Sequence, residues 1–259
     1  MIHGGPLLSD KLYRWRRQIF RWGIWNLIYR FWVRIQVDGW ENIPAEGPVV
    51  MMGNHIHYLD PVIMISFYPD RDIVPIAKIE AFDEPIMRYF VAHWGAIPVE
   101  RGEADLRALK STLEHIRAGY VAMFYAEGTR SPGGLIQGQE GTAYIALKTD
   151  AIIVPVAISG TTEFPGTWFR VFRRSHVTIR FGQPFKFKHE GGKLPRDRFG
   201  AMTDEAMYRV AALLPESLRG IYSDLSRATT DYLDFDVTWE PVSHRIPRRA
   251  LVRANQPSA

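Results

Sequence analysis

Apolar and polar positions alternate in short blocks along most of the chain. Pro48–Gly53 (PVVMMG) is a brief apolar run that reads as a buried strand. Asp60-Pro61 then opens a helix over VIMISFY, with aspartate as N-cap and proline at the first helical position. Ile73–Ala77 reads as a strand, Glu84–Ala92 as a helix and Ala96–Val99 as a short strand. Leu106, Leu109, Leu113 and Ile116 recur at spacings of 3, 4 and 3, an amphipathic helix closed by Gly119. Tyr120–Ala126 and Ala151–Ser159 are apolar strands with a helix over Gly141–Lys148 between them, and His176–Phe181 alternates as a later strand. Thr203–Leu214 reads as a helix with Thr203 as its cap. Apolar strands separated by helices predict an α/β fold: a single domain with a mostly parallel central sheet covered by helices. The expected boundaries are an N-terminal helical segment over 1–40, an α/β domain over 41–235 and a loose basic tail over 236–259. The stretch 241–259 holds three prolines and four arginines and no acid.

Charge changes the reading of the N-terminus. Of the 259 residues, 32 are Lys or Arg and 28 Asp or Glu, a net charge of +4. Residues 11–37 alone hold seven of the basic residues, no acid, and eight aromatic residues. Outside them the balance is acidic, which disfavours a nucleic-acid binder, whose basic residues spread over the folded body. The longest uncharged run in the segment is Trp22–Tyr29, far short of the roughly 20 apolar residues of a membrane span. Nor does the segment carry a signal-peptide cleavage site. A Trp/Arg amphipathic helix lying in the headgroup layer fits it; a helix packed on its own domain is the alternative. There is no cysteine, which removes disulfides, thiolate metal sites and a cysteine nucleophile.

Four short blocks carry candidate chemistry. The first, Gly53-Asn54-His55-Ile56-His57-Tyr58-Leu59-Asp60, joins a strand to a helix, where α/β folds present reactive residues. His55 and Asp60 are five apart, wrong for one helix face. Across a turn, Asp60 can accept from one imidazole nitrogen and leave the other to take a proton. The other reading makes Asp60 a helix cap and His55 a loop residue. In the second block, Ile97-Pro98-Val99-Glu100-Arg101-Gly102, Arg101 suits a phosphate or a surface ion pair. In the third, a strand runs into Glu127-Gly128-Thr129-Arg130. Gly128 allows close backbone approach, Thr129 and Arg130 suit phosphate oxygens, and Glu127 suits a polar headgroup or an arginine partner. The alternative there is a polar turn. The fourth, Val154-Pro155-Val156, is a wall. His55 and His57 lack neighbours at metal-ligand spacing, so no metal is expected.

Taken in order, the four blocks resemble the glycerolipid acyltransferase family. The resemblance rests on Asn54-His55-x-x-x-x-Asp60, on Ile97, Val99 and Arg101, on Glu127-Gly128-Thr129-Arg130 and on Val154-Pro155-Val156, within roughly residues 48–185. It implies transfer of an acyl group from acyl-CoA or an acyl-carrier protein to the free hydroxyl of 1-acyl-sn-glycerol-3-phosphate, giving phosphatidic acid. His55 is then the general base, Asp60 its orienter and Lys78 a candidate oxyanion donor. Asn54, Arg101, Glu127, Gly128, Thr129 and Arg130 line the acceptor site. The thioester is a substrate and no cofactor is expected. Location on the cytoplasmic face of the cell membrane, through residues 11–37, goes with it. The remaining alternatives are another acceptor (glycerol-3-phosphate, another lysophospholipid or a glycolipid) and a non-catalytic membrane-surface protein on the same fold. The chain departs from the family pattern at His57, Ala126 and Glu140, where serine, proline and a basic residue are usual.

Overall fold

The alternation in Val33–Asp38 (VRIQVD) makes the first strand, β1, with Val33, Ile35 and Val37 buried and Arg34 exposed. In this computed structural model the described residues are 33–67, 71–83, 94–100, 105–163, 175–188, 196–242 and 251–252, together with Trp15, Gln18, Ile19, Gly23, Arg88, Tyr89 and Val91. The helical segment expected over 1–40 is therefore corrected at its end. Residues 33–38 pair along β7 (Ser175–Phe181), and the period of two in their apolar positions outweighs the arginine spacing that continues from upstream. Trp15, Gln18, Ile19 and Gly23 are helical, and the remainder of residues 1–32 lies outside the described set.

The other strands are β2 (Val49–Gly53), β3 (Ile73–Lys78), β4 (Ile97–Val99), β5 (Val121–Tyr125), β6 (Ile152–Ser159), a short pair β8 (Lys186–Phe187) and β9 (Leu233–Asp234), and β10 (Leu251–Val252). The helices are α1 (Asp60–Phe67), α2 (Leu106–Arg117), α3 (Gly141–Thr149) and α4 (Arg196–Leu213). Each predicted element reappears within a few residues, with two differences. Only Arg88, Tyr89 and Val91 of the expected 84–92 helix are described, and all three are helical. The last helix begins at Arg196, so Thr203 is a buried mid-helix residue rather than a cap.

The main sheet runs β10-β1-β7-β6-β2-β5-β3-β4, parallel throughout except where β6 meets β7. Strands β2 to β6 therefore end at one edge, where Gly53, Lys78, Val99, Tyr125 and Ser159 stand side by side. Alternation splits the core. Val49, Met51, Val121, Met123, Val154 and Val156 pack with α1 on one face. Val50, Met52, Ala122, Ile153 and Ala157 pack with α3 and α4 on the other. A parallel sheet covered on both faces needs the near-continuous apolar strands seen in the sequence.

The loose tail expected from residue 236 is bound to the body through Val242. Trp239 Nε1 donates to the Glu41 carbonyl at 3.0 Å, Pro241 bridges to Pro44, and Val242 is buried with its amide on the Ile43 carbonyl. Leu251 and Val252 extend the sheet beside β1. No helix among the described residues is long and apolar enough to cross a membrane.

Gly160 turns the chain after β6 at φ +84°, and a Cβ there would overlap the carbonyl oxygen of His176. Gly160→Ala combines left-handed backbone strain with that overlap. It is expected to cost about 2 kcal/mol or more and to lower the thermal midpoint by roughly 4–8 °C, read by calorimetry.

Candidate active site

The site is built where β2 runs out. Gly53 sits closely there: a Cβ would come within 3.0 Å of Met123 Cε and 3.2 Å of the Val156 carbonyl oxygen. The next residue, Asn54, is 1% exposed. Its Nδ2 donates to the Ile158 carbonyl at 2.9 Å, and the Ile158 amide donates to its Oδ1 at 2.8 Å. The side chain thus continues the β2–β6 ladder one rung past the Gly53–Val156 pair. This corrects the expectation that Asn54 contacts substrate: both ends of the amide are already used inside the protein.

His55 and Asp60 come together. His55 Nδ1 lies 2.9 Å from Asp60 Oδ2, and the same oxygen accepts from the amides of Ile56 at 2.8 Å and His57 at 2.7 Å. Asp60 is fully buried. Its carboxylate reaches back over residues 55–57 and closes a turn sealed by its own amide on the His57 carbonyl at 3.1 Å. A spacing of five, unsuited to a helix face, is what this turn needs. A carboxylate at Nδ1 places the proton there and leaves a lone pair on Nε2.

Glu127 takes a different position from the one expected. It is 2% exposed; its Oε1 accepts the His55 amide at 3.2 Å, and its other oxygen accepts the Ser131 hydroxyl. The Ser131 amide in turn donates to the His55 carbonyl at 2.7 Å. Glu127 and Ser131 therefore clamp the backbone of His55 from both sides, and the headgroup-binding role expected for Glu127 is corrected to this one. Burial pushes the Glu127 carboxyl up to about 7, against the hydrogen bonds from His55 and Ile136 and with Asp60 adding to the rise.

Tyr125 stacks on His55, with centroids 4.2 Å apart and planes at 23°. Its hydroxyl is buried and has no hydrogen-bond partner among the described residues, nor has Asp60 Oδ1. Burial, then the charge of Asp60, holds the phenol well above its usual range. His57 is half-buried on Tyr58 and accepts the Leu59 amide at Nδ1. Burial lowers its pKa, with Asp60 opposing and Arg130 and His55 adding to the fall.

The chain matches the family described as Acyltransferase over residues 34–159, which takes in every block of the site just described. It is also similar to two 1-acyl-sn-glycerol-3-phosphate acyltransferases. One is the chloroplastic protein of Arabidopsis thaliana, at 31% identity over 64% of this chain and 48% of that one. The other is from Borreliella burgdorferi, at 32% identity over 51% and 54%. Residues 34–159 form a domain of the acyltransferase family. The chain spans about half the length of these two relatives. A Bacillus subtilis protein of the same printed name is matched over 87% of its length at 24% identity. In fold the chain resembles the crystal structure of the 1-acyl-sn-glycerophosphate acyltransferase of Thermotoga maritima, with a TM-score of 0.57 and 23% identity over 80% of this chain and 84% of that one.

The remaining positions carried by the acyltransferase resemblance divide by place. Gly128 turns at φ +67° with its amide on the Tyr125 carbonyl, and Thr129 and Arg130 stand exposed beyond it. Val154 and Val156 are buried wall, as expected. Lys78 is exposed at the end of β3, two strands and so about 10 Å from β2 at the usual ladder spacing. By alternation it falls with Val74 and Ile76, off the row that ends at Tyr125 beside His55. The structure does not bring it against the histidine. Arg101 lies outside the described residues. Tyr125 and Ser131 are contributors that motif reading passed over. Tyr125 lies two residues before the Glu-Gly-Thr-Arg block and Ser131 directly after it, but neither residue type announces a stacking or clamping role.

The raised Glu127 carboxyl gives a pH test. Its native value, about 7, lies above the ordinary 4.5 of a glutamate, so the folded state keeps a proton that the unfolded chain has released. Stability from this group falls as pH rises from 4.5 through 7 and is flat above. Thermal midpoints of the wild type are expected to decline across that window, and those of Glu127→Gln to decline less.

Proposed function

We propose that the protein transfers a fatty acyl group from an acyl thioester, acyl-CoA or acyl-carrier protein, to the free hydroxyl of 1-acyl-sn-glycerol-3-phosphate. The product is phosphatidic acid. The observation that carries this reading is the pairing of His55 with buried Asp60 beside the turn that exposes Thr129 and Arg130. His55 Nε2 takes the proton of the acceptor hydroxyl while its oxygen attacks the thioester carbonyl. The tetrahedral oxyanion collapses, the carbon–sulfur bond breaks, and the departing thiolate recovers the proton from His55. No group on the enzyme is acylated.

Arg130, a fork of fixed donors, suits the acceptor's phosphate, with Thr129 beside it. Arg101 and Lys78 are the further cations of this reading, holding phosphate or drawing in the anionic substrates. A lysolipid resides in a bilayer, so the enzyme works at the membrane surface, on the cytoplasmic face where acyl thioesters are supplied. Trp15 and Ile19, one helical turn apart, are 59% and 49% exposed, which supports a membrane-contacting N-terminal helix.

Purified protein given labelled acyl-CoA and a panel of lysolipid acceptors tests the reaction. His55→Ala is expected to lower kcat by at least 10²-fold with the fold unchanged by circular dichroism. Arg130→Ala is expected to raise the acceptor KM by roughly 10–100-fold. Absence of turnover on every acceptor, or a fully active His55→Ala, refutes the reading. Trp15→Ala with Ile19→Ala is expected to weaken binding to anionic vesicles in a sedimentation assay. Unchanged binding removes this helix as the anchor.

A further inference from the structure

His55 is held at almost every point it offers. Its amide is bound to Glu127, its carbonyl to the Ser131 amide and its Nδ1 to Asp60. One face of its ring lies on Tyr125. Among the described residues no hydrogen bond meets Nε2 and no ring meets the opposite face, in keeping with a side chain 17% exposed. Tyr125 stands opposite Gly53 in the β2–β5 ladder, at the sheet edge from which the His55 loop leaves.

We propose that Tyr125 is a positioning residue whose ring face holds the His55 imidazole in place and stabilises the imidazolium that forms as Nε2 accepts the proton. This deepens the reading given above and rests on it. An aromatic face carries partial negative charge and attracts a cation lying against it. A general base gains its positive charge only as it accepts the acceptor's proton. The gain therefore falls on kcat rather than on substrate binding. The hydroxyl makes no hydrogen bond among the described residues, and burial keeps it protonated, so it adds no charge beside the imidazolium. The ring, not the hydroxyl, carries the effect.

The test uses the full chain with 1-acyl-sn-glycerol-3-phosphate and an acyl-CoA. Tyr125→Leu is expected to lower kcat about tenfold with both KM values within about twofold of wild type, and Tyr125→Phe to keep wild-type kinetics. The stack is read independently of turnover by NMR. The His55 ring protons are displaced by the ring current in wild type and Tyr125→Phe, and the displacement is lost in Tyr125→Leu. The proposal is overturned if Tyr125→Phe falls as far as Tyr125→Leu, if the loss appears in KM, or if the displacement is absent from wild type. A displacement present in a wild type that acylates no lysolipid overturns the assigned reaction and leaves the stack standing.

Discussion

Asp60 brings a carboxylate into a place that water does not reach. Three donors meet one of its oxygens, two of them backbone amides and the third the ring of His55. An unpaired charge at full burial would be costly, and a carboxylate without ready-made donors would not stay there. The amides of Ile56 and His57 are supplied by the turn, and the turn exists because Asp60 pulls it closed. The histidine is thus oriented by the same interaction that folds the loop. Chemistry and local structure are not separable at this point of the chain.

Around that pair the sheet provides a frame. Parallel strands end at one edge, so the residues following β2 and β5 are neighbours although more than seventy positions apart in sequence. Asn54 fastens the start of the loop to β6, and Glu127 with Ser131 fastens the histidine backbone to the β5 turn. These groups are buried and spend their hydrogen-bonding capacity inside the protein. The side chains of Thr129 and Arg130 stand exposed beside them. Buried polar groups that satisfy one another in this way explain why a six-residue loop keeps a defined shape.

Glu127 shows how strongly context sets a residue's role. On its own, an acid beside Gly-Thr-Arg reads as a headgroup contact or an arginine partner. In the fold its carboxyl is enclosed, its proton held to about pH 7 by burial, and its partners are a backbone amide and a serine hydroxyl. Asn54 makes the same point: an amide next to a histidine invites a substrate role, yet it serves as a rung of the sheet.

The sequence alone determined the alternation of strand and helix, the two-sided burial of the sheet and the four blocks of candidate chemistry, with the His55–Asp60 pair as one of two readings. Period and composition are local quantities, and a loop between a strand and a helix must lie at a sheet edge. It did not separate Val33–Asp38 from the arginine-rich stretch before it, because arginines at helical spacing and apolar residues at strand spacing overlap there. Only tertiary structure decided that Tyr125 lies against the imidazole, that Ser131 binds the histidine backbone and that Lys78 stands apart from it. Those relations depend on strand order and register, which are set by how distant segments pack and leave no periodic trace in the chain.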